Sequence, residues 1–351
     1  MTRMSALDAA GVTDAARLQE FMSEPAERLV AAVARIEGPV LVLGGSGKMG
    51  PDLVRMLRRA DLAAGVRRDI AVASTFSDPA TRAELEAAGI LCLSADLADP
   101  AALAALPDAA HVIYLLGFKF GSGSDWRRAF HVNGIVPYLV GERYPEASIV
   151  ALSSTNPYPL VPWPQEATGS SESVELVPVG VYGWSIVARE SAFATTALRH
   201  PRQRVSLIRL SYAQHFAYGV IRDLAAMVWE GEPISLQVPA ANLVSQRDAI
   251  DYTLLSMERS ANPPWVVNIA GPALRVADLA ERLGRTMGRS PRLADAEGDA
   301  AVLADDRLCR ETFGEPRDRV AELEEPIARW VMARGLSWDR PTHFGSTGRV
   351  Y

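Results

Sequence analysis

The stretch Val40-Leu41-Val42-Leu43-Gly44-Gly45-Ser46-Gly47-Lys48-Met49-Gly50 decides the reading of this chain. Four consecutive apolar residues suit a short strand covered on both faces. A glycine-rich turn follows, and Leu53, Met56 and Leu57 then recur at helical spacing. Strand, tight turn and helix start in this order make a phosphate cradle. Glycines let the backbone approach a pyrophosphate, and the helix N-terminus offers unpaired N–H groups and the positive end of its dipole. The segment Gly44, Gly45, Ser46, Gly47, Lys48, Met49, Gly50 is therefore expected to bind a dinucleotide.

Outward from this turn, strand and helix signals alternate. Strands are expected at 40–43, 70–74, 90–93, 111–116, 148–152, 205–210 and 265–269, and helices near 50–60, 79–88, 100–106, 126–142 and 182–199. Such alternation predicts the α/β class, with a Rossmann-type doubly wound parallel sheet. After residue 210 the pattern loosens, and helices at 219–230, 248–259, 276–287 and 322–334 suggest a smaller, mostly helical C-terminal substrate lobe. The expected organisation is a helical N-terminal extension over 1–38, a dinucleotide-binding domain over 39–210, and a substrate lobe over 211–351 that returns one strand near 265–269. In the extension, Ser23 is a candidate helix N-cap, with Leu29, Val33 and Ile36 on one face. Asp248 is a candidate N-cap in the lobe, and residues 157–181 form a long excursion rich in Pro, Ser, Gly and Glu.

Composition narrows the function. The chain has 351 residues, 48% hydrophobic and 22% charged, with net charge −6, which fits a folded protein with ample core and no basic surface for nucleic acid. No apolar run has the length of a membrane span, and no basic-then-apolar leader opens the chain. Two isolated cysteines, Cys92 and Cys309, suit a reducing cytoplasm, and the five histidines lack metal-ligand spacing, so no metal is expected. Of 36 basic residues only two, Lys48 and Lys119, are lysines.

Ligands of doubly wound sheets bind beyond the carboxyl ends of the strands. An NAD-specific protein commonly has an acid there after the second strand, about 20 residues past the glycine loop. Here Ser74-Thr75-Phe76-Ser77 holds no acid and no arginine, so NAD and NADP both stay open, with Arg82 or Lys48 able to approach a 2′-phosphate. Asp96-Leu97 follows the third strand, where the carboxylate could meet adenine or instead cap a helix, as Asp99 could. Gly117 follows the fourth strand and would let a cofactor pass. Ser153-Ser154 follows the fifth, and a later helix opens at Tyr182. A hydroxyl beside a tyrosine suits hydride transfer at a C–OH carbon, one group orienting the oxygen and the other carrying its proton. Tyr212 follows the sixth strand on the cofactor side. Trp163, Trp184, His215 and Arg247 are candidates for contacting substrate, His215 as an acid/base and Arg247 as an anion partner.

Together these residues resemble the extended short-chain dehydrogenase/reductases, in their NAD-dependent epimerase/dehydratase branch. The resemblance spans about 39–345. It rests on Gly44-x-x-Gly47-x-x-Gly50, Asp96-Leu97, Gly117, Asn133, Ser153-Ser154, Tyr182 with Glu190, Arg209, and Val266-Val267-Asn268-Ile269. It implies that Ser154 polarises a substrate oxygen, that Tyr182 is the general acid/base, and that Asp96 and Asn133 belong to the cofactor site. It also implies a homodimer through helices 126–142 and 182–199.

One position departs from the pattern. The family has Tyr-x-x-x-Lys, and the fifth position here is Ile186. In the family that lysine binds the nicotinamide ribose and lowers the tyrosine pKa. An unassisted tyrosine titrates near pH 10, and holding it as phenolate at neutrality costs roughly 4 kcal/mol. Lys119, just past the fourth strand, is the candidate substitute and third catalytic residue, in an arrangement similar to the relocated lysine of the progesterone 5β-reductase and iridoid synthase group. The leading expectation is an NAD(P)-dependent oxidoreductase or epimerase acting by hydride transfer at a secondary alcohol or ketone of a sugar, sugar acid or similar metabolite. The alternatives are a dinucleotide-binding sensor without turnover, or a lyase or dehydratase that uses the cofactor transiently.

Overall fold

The structure is a computed structural model that describes residues 9–338 and 342–345. Seven parallel strands form the central sheet: β1 (Val40–Leu43), β2 (Ile70–Ser74), β3 (Leu91–Ser94), β4 (His111–Tyr114), β5 (Ser148–Ser154), β6 (Arg204–Leu210) and β7 (Trp265–Ile269). Their order is β7-β6-β5-β4-β1-β2-β3. Val40–Leu43 therefore pairs with β2 on one side and β4 on the other, and the switch of direction falls beside the glycine turn. Side chains alternate across β1. Val40 and Val42 join one core layer with Leu53, Met56 and Leu57, whereas Leu41 and Leu43 join the opposite layer with Val136, Val140 and Phe193. Both faces are thus covered, as the unbroken apolar run predicts.

Helix α1 (Gly50–Ala64) starts at the turn. The region expected as one helix over 126–142 is α2 (Trp126–Phe130), a π-turn (His131–Ile135) and α3 (Val136–Arg143). Helix α4 (Gly180–Arg199) begins two residues before Tyr182. Strand β5 runs on through Ser153 and Ser154, which pair with Arg209 and Leu210. Polar residues at a strand end carry little strand propensity, so the sequence stops the strand two residues early.

The C-terminal region is less helical than expected. Tyr212–Gln214, Ala240–Ser245 and Ala273–Arg275 make a three-stranded sheet, and Pro233–Ser235 pairs with Arg292–Ala294. Three-residue strands are too short to show alternation. In the excursion, Val161–Pro162 pairs with Ala300–Ala301.

Two expected caps move. Ser23 ends a helix, Ala15–Met22, with its hydroxyl donating to the Gln19 carbonyl, and Glu27–Val33 starts without a side-chain cap. Ser245 stands at the N-cap of helix Gln246–Leu255, where Asp248 lies inside the first turn and accepts from the Arg317 and Asp318 N–H groups. The N-terminal segment joins both halves of the molecule. Leu29, Val33 and Ile36 pack on the sheet side, while Phe21 meets Phe216 edge-on at 6.1 Å among residues of the C-terminal region.

Candidate active site

A cavity of about 610 Å³ opens between the carboxyl ends of the strands and the C-terminal region. Its sheet side is formed by Gly44, Gly47, Lys48, Met49, Gly50, residues 117–120 and 152–156, Tyr182 and Arg189. The facing wall includes Tyr212, Tyr218, Gln237, Asp299, Val302 and Phe344.

The glycine turn fits a pyrophosphate. A Cβ at Gly50 would stand 2.1 Å from the Gly45 carbonyl oxygen, so only glycine lets the turn fold onto the start of α1. Gly47 differs, because a Cβ there meets nothing nearer than the Gly44 oxygen at 3.4 Å. Its glycine leaves cavity space open without being required for packing. Helix α1 starts without a side-chain cap, its Gly50 N–H turned back to the Gly47 carbonyl at 3.2 Å and its Pro51 carrying no N–H, so the positive end of its dipole faces the cavity. Gly45 and Ser46 support the turn from behind. Gly45 packs on Val72, and the Ser46 hydroxyl pairs with that of Ser74 at 2.5 Å.

Ser74, Asp96 and Leu97 lie outside the cavity wall. Asp96 is exposed and accepts from the Ala98 N–H, whereas Asp99 is the helix cap, accepting from Ala101. Leu97 is core. Arg82 pairs with Glu86 and donates to Ser94, so its charge is already engaged on the surface. The end of β2 therefore presents hydroxyls rather than a carboxylate.

Ser154 and Tyr182 come together. The Ser154 oxygen accepts the Asn156 N–H at 3.1 Å, which leaves its own proton to give. The Tyr182 phenol hydrogen-bonds Ser154. Burial raises the Tyr182 pKa, and the positive charge of Arg189 and the Ser154 bond oppose that rise without cancelling it. Tyr182 is thus a neutral hydroxyl at physiological pH. Lys119 lines the same cavity, with its Nζ 5.9 Å from the Tyr182 ring centre, 5.7 Å from Tyr212 and 5.5 Å from Phe120. Burial among these rings pushes its ammonium down to about 8. Lys48 turns away from the loop onto aromatic faces, 3.4 Å from the centre of Tyr218 and 4.9 Å from Phe120.

Behind these groups lies a buried polar network. The Ser153 hydroxyl donates to Glu190, which is paired with Arg209, and Arg209 donates in turn to the Tyr158 oxygen. Asn133 is fully buried in the π-turn and clasps Phe118 twice, accepting its N–H and donating to its carbonyl, both at 2.9 Å. Asn133 is not in the cavity wall, and it shapes the loop that carries Lys119.

The four residues expected to face substrate lie elsewhere. His215 is buried, accepts the Ala217 N–H and stacks on Trp338 at 4.6 Å. Burial pushes it down to about 3, so it is a neutral packed histidine and not an acid/base at neutral pH. Arg247 is buried between Asp318 and Glu24, and its guanidinium covers the Phe21 ring. It braces the N-terminal segment and has no face toward the cavity. Trp163 packs on Val161, Ala240 and Leu303 outside the cavity. Trp184 is 56% exposed on the outer side of α4. Tyr218, Phe120, Gln237, Asp299 and Arg189 line the cavity without having been expected there. Only Arg189 carried a signal, its two-turn spacing from Tyr182.

No family model matches this sequence, and no curated protein matches it. Solved structures do match in fold. MoeE5 in complex with UDP-glucose and NAD is 19% identical with a TM-score of 0.69, covering 85% of this chain and 99% of its own. The Thermus thermophilus UDP-glucose 4-epimerase complexed with NAD is 18% identical, TM-score 0.68, covering 83% and 98%. The dTDP-glucose 4,6-dehydratase DesIV double mutant from Streptomyces venezuelae, with NAD and DAU bound, is 19% identical, TM-score 0.70, covering 84% and 96%. The class defined by this architecture is the extended short-chain dehydrogenase/reductase fold. These three similar structures all hold NAD, and two of them are described as a UDP-glucose 4-epimerase and a dTDP-glucose 4,6-dehydratase.

Proposed function

We propose that this protein is an NAD(P)-dependent oxidoreductase or epimerase that works by hydride transfer at a secondary alcohol or ketone carbon of a sugar or similar metabolite. The observation that carries the reading is the Ser154–Tyr182 pair facing one cavity with the glycine turn. In this reading Gly44, Gly47 and Gly50 would hold the pyrophosphate against α1, and a nicotinamide bound there would supply or accept the hydride. Ser154 donates to the substrate oxygen. Tyr182, neutral by burial, gives its proton to that oxygen as a carbonyl is reduced, and takes one back in the reverse direction. Lys119 supplies positive charge to the same oxygen from the neighbouring strand end. NAD and NADP are both compatible with the hydroxyls at the end of β2, and calorimetric titration with each dinucleotide separates them.

We further propose that residues 39–210 act as the nucleotide domain and 211–351 as the substrate lobe, with 1–38 joining them. A cytoplasmic setting is supported by two buried free cysteines. No helix among the described residues is long and apolar enough to cross a membrane. A homodimer through α2 to α4 is supported by four exposed apolar residues on that side: Trp126, Ile135, Trp184 and Leu198.

The test is transfer of deuterium from C4-labelled NADH or NADPH to a panel of ketoses, keto sugars and nucleotide-linked keto sugars, read by mass. Tyr182→Phe should lower the rate by roughly 100-fold or more, and Ser154→Ala by roughly tenfold or more. Tight cofactor binding with no label transfer to any compound would favour the sensor reading instead.

A further inference from the structure

The position of the absent family lysine is closed. Ile186 is wholly buried, one turn after Tyr182 on α4. Arg189 stands a further turn along, seven residues from Tyr182 and so on the same face of the helix. Helical side chains lean toward the N-terminus, which lets a long side chain at 189 reach back across the turn below it.

The arginine is built into its place. It is only 4% exposed, yet it forms part of the cavity wall. Its Nη1 donates to the Leu152 carbonyl of β5 at 2.7 Å, and its Nη2 to the Asn133 side-chain oxygen at 2.6 Å. A Cβ on Gly117 would come within 3.1 Å of Nη2, so glycine in the loop after β4 leaves the guanidinium uncovered on that side. A guanidinium has five N–H groups. Two are engaged here, and Nε is buried without an acceptor.

We propose that Arg189 is the positioning residue that supplies the fixed positive charge for Tyr182 in place of a lysine at 186, and that its spare N–H groups serve a hydroxyl of the ligand lying over Gly117. This rests on the hydride-transfer reading above. Arg189 is the cation that lowers the Tyr182 phenol against the effect of burial. Arg189 and Lys119 also differ in kind. A guanidinium keeps its charge at every pH the protein meets, whereas the Lys119 ammonium is half lost near pH 8. The single lysine of the family pattern is thereby divided in two: a permanent charge from below, and a titrating one from the loop.

The experiment is an ultraviolet difference titration of the Tyr182 phenol, each protein read against its own Tyr182→Phe version, alongside NADH and NADPH affinity. Arg189→Met should move the phenol titration upward by about one pH unit or more and weaken the dinucleotide by roughly tenfold. Arg189→Lys should recover most of both, and Ile186→Lys added to Arg189→Met should restore the phenol. Lys119→Met should leave the titration in place. If Arg189→Met does not fold, the comparison of Arg189→Gln with Arg189→Lys carries the same test. A folded Arg189→Met or Arg189→Gln protein whose phenol titrates like the parent overturns the proposal, as does a shift caused by Lys119→Met instead. A parent protein that binds no dinucleotide but shows the phenol shift defeats the hydride-transfer reading and leaves the charge assignment standing.

Discussion

Lys119 and Tyr182 set the pH behaviour of the site between them. Burial raises the phenol, so it stays protonated through the neutral range. Lys119, pushed down to about 8, is cationic below that value and neutral above it. If its charge polarises the carbonyl oxygen, reduction is fastest below pH 8 and falls as pH rises through about 8. Lys119→Met should then be slower by roughly tenfold and flat across the same range, read from initial rates at saturating cofactor. Turnover, cofactor affinity and pH profile all unchanged in Lys119→Met would remove the residue from the mechanism. Lys119 is legible in the sequence because a chain with two lysines places one of them just past a predicted strand end. Arg189 is far less so, because its one signal is the seven-residue spacing from Tyr182 and it is one arginine among many. His215 and Arg247 mislead for a related reason. A titratable side chain in a sequence does not reveal whether Trp338, Asp318 or Glu24 already holds it.

The glycine turn is the element that the sequence specifies most fully. Its strand, its tight bend and its helix each have their own local signal, and none depends on distant contacts. Two of its glycines nevertheless play different parts. Gly50→Ala drives a Cβ into the Gly45 carbonyl and should destabilise the fold by about 1–3 kcal/mol, seen as a lower unfolding midpoint in urea. Gly47→Val meets no such contact, so the midpoint should stay close to the parent while the side chain fills the phosphate space and dinucleotide affinity falls by tenfold or more. The opposite pattern, with Gly47→Val unfolding and Gly50→Ala losing only ligand, would contradict this assignment. Elsewhere local signals are weaker. The π-turn at His131–Ile135 has no periodicity to announce it, yet it presents Asn133 to both Phe118 and Arg189. The short strands at Tyr212–Gln214 and Pro233–Ser235 are held by their partners across the lobe rather than by their own composition.

At the scale of the molecule, strand–helix alternation foretells the seven-stranded sheet, and the return of β7 to its edge is visible as an apolar run late in the chain. What alternation cannot show is closure. The cavity is completed by Tyr218, Asp299, Val302 and Phe344, which come from segments far apart in sequence and meet only once both halves are packed. The outer surface of α2 to α4 makes a separate prediction. Leu198 is 83% exposed and Trp184 56%, and replacing both with glutamate should turn a dimer into a monomer by light scattering without lowering the unfolding midpoint. A parent protein that is already monomeric at all concentrations would rule the dimer out. Catalysis at Tyr182 requires the turn at Gly44–Gly50 to hold a dinucleotide whose nicotinamide reaches that phenol. The most direct test is calorimetric titration of the parent protein and of Gly47→Val with NADH and with NADPH. One saturable site is expected in the parent for at least one of the two, weakened tenfold or more in the variant. No binding of either dinucleotide by the folded parent would contradict it.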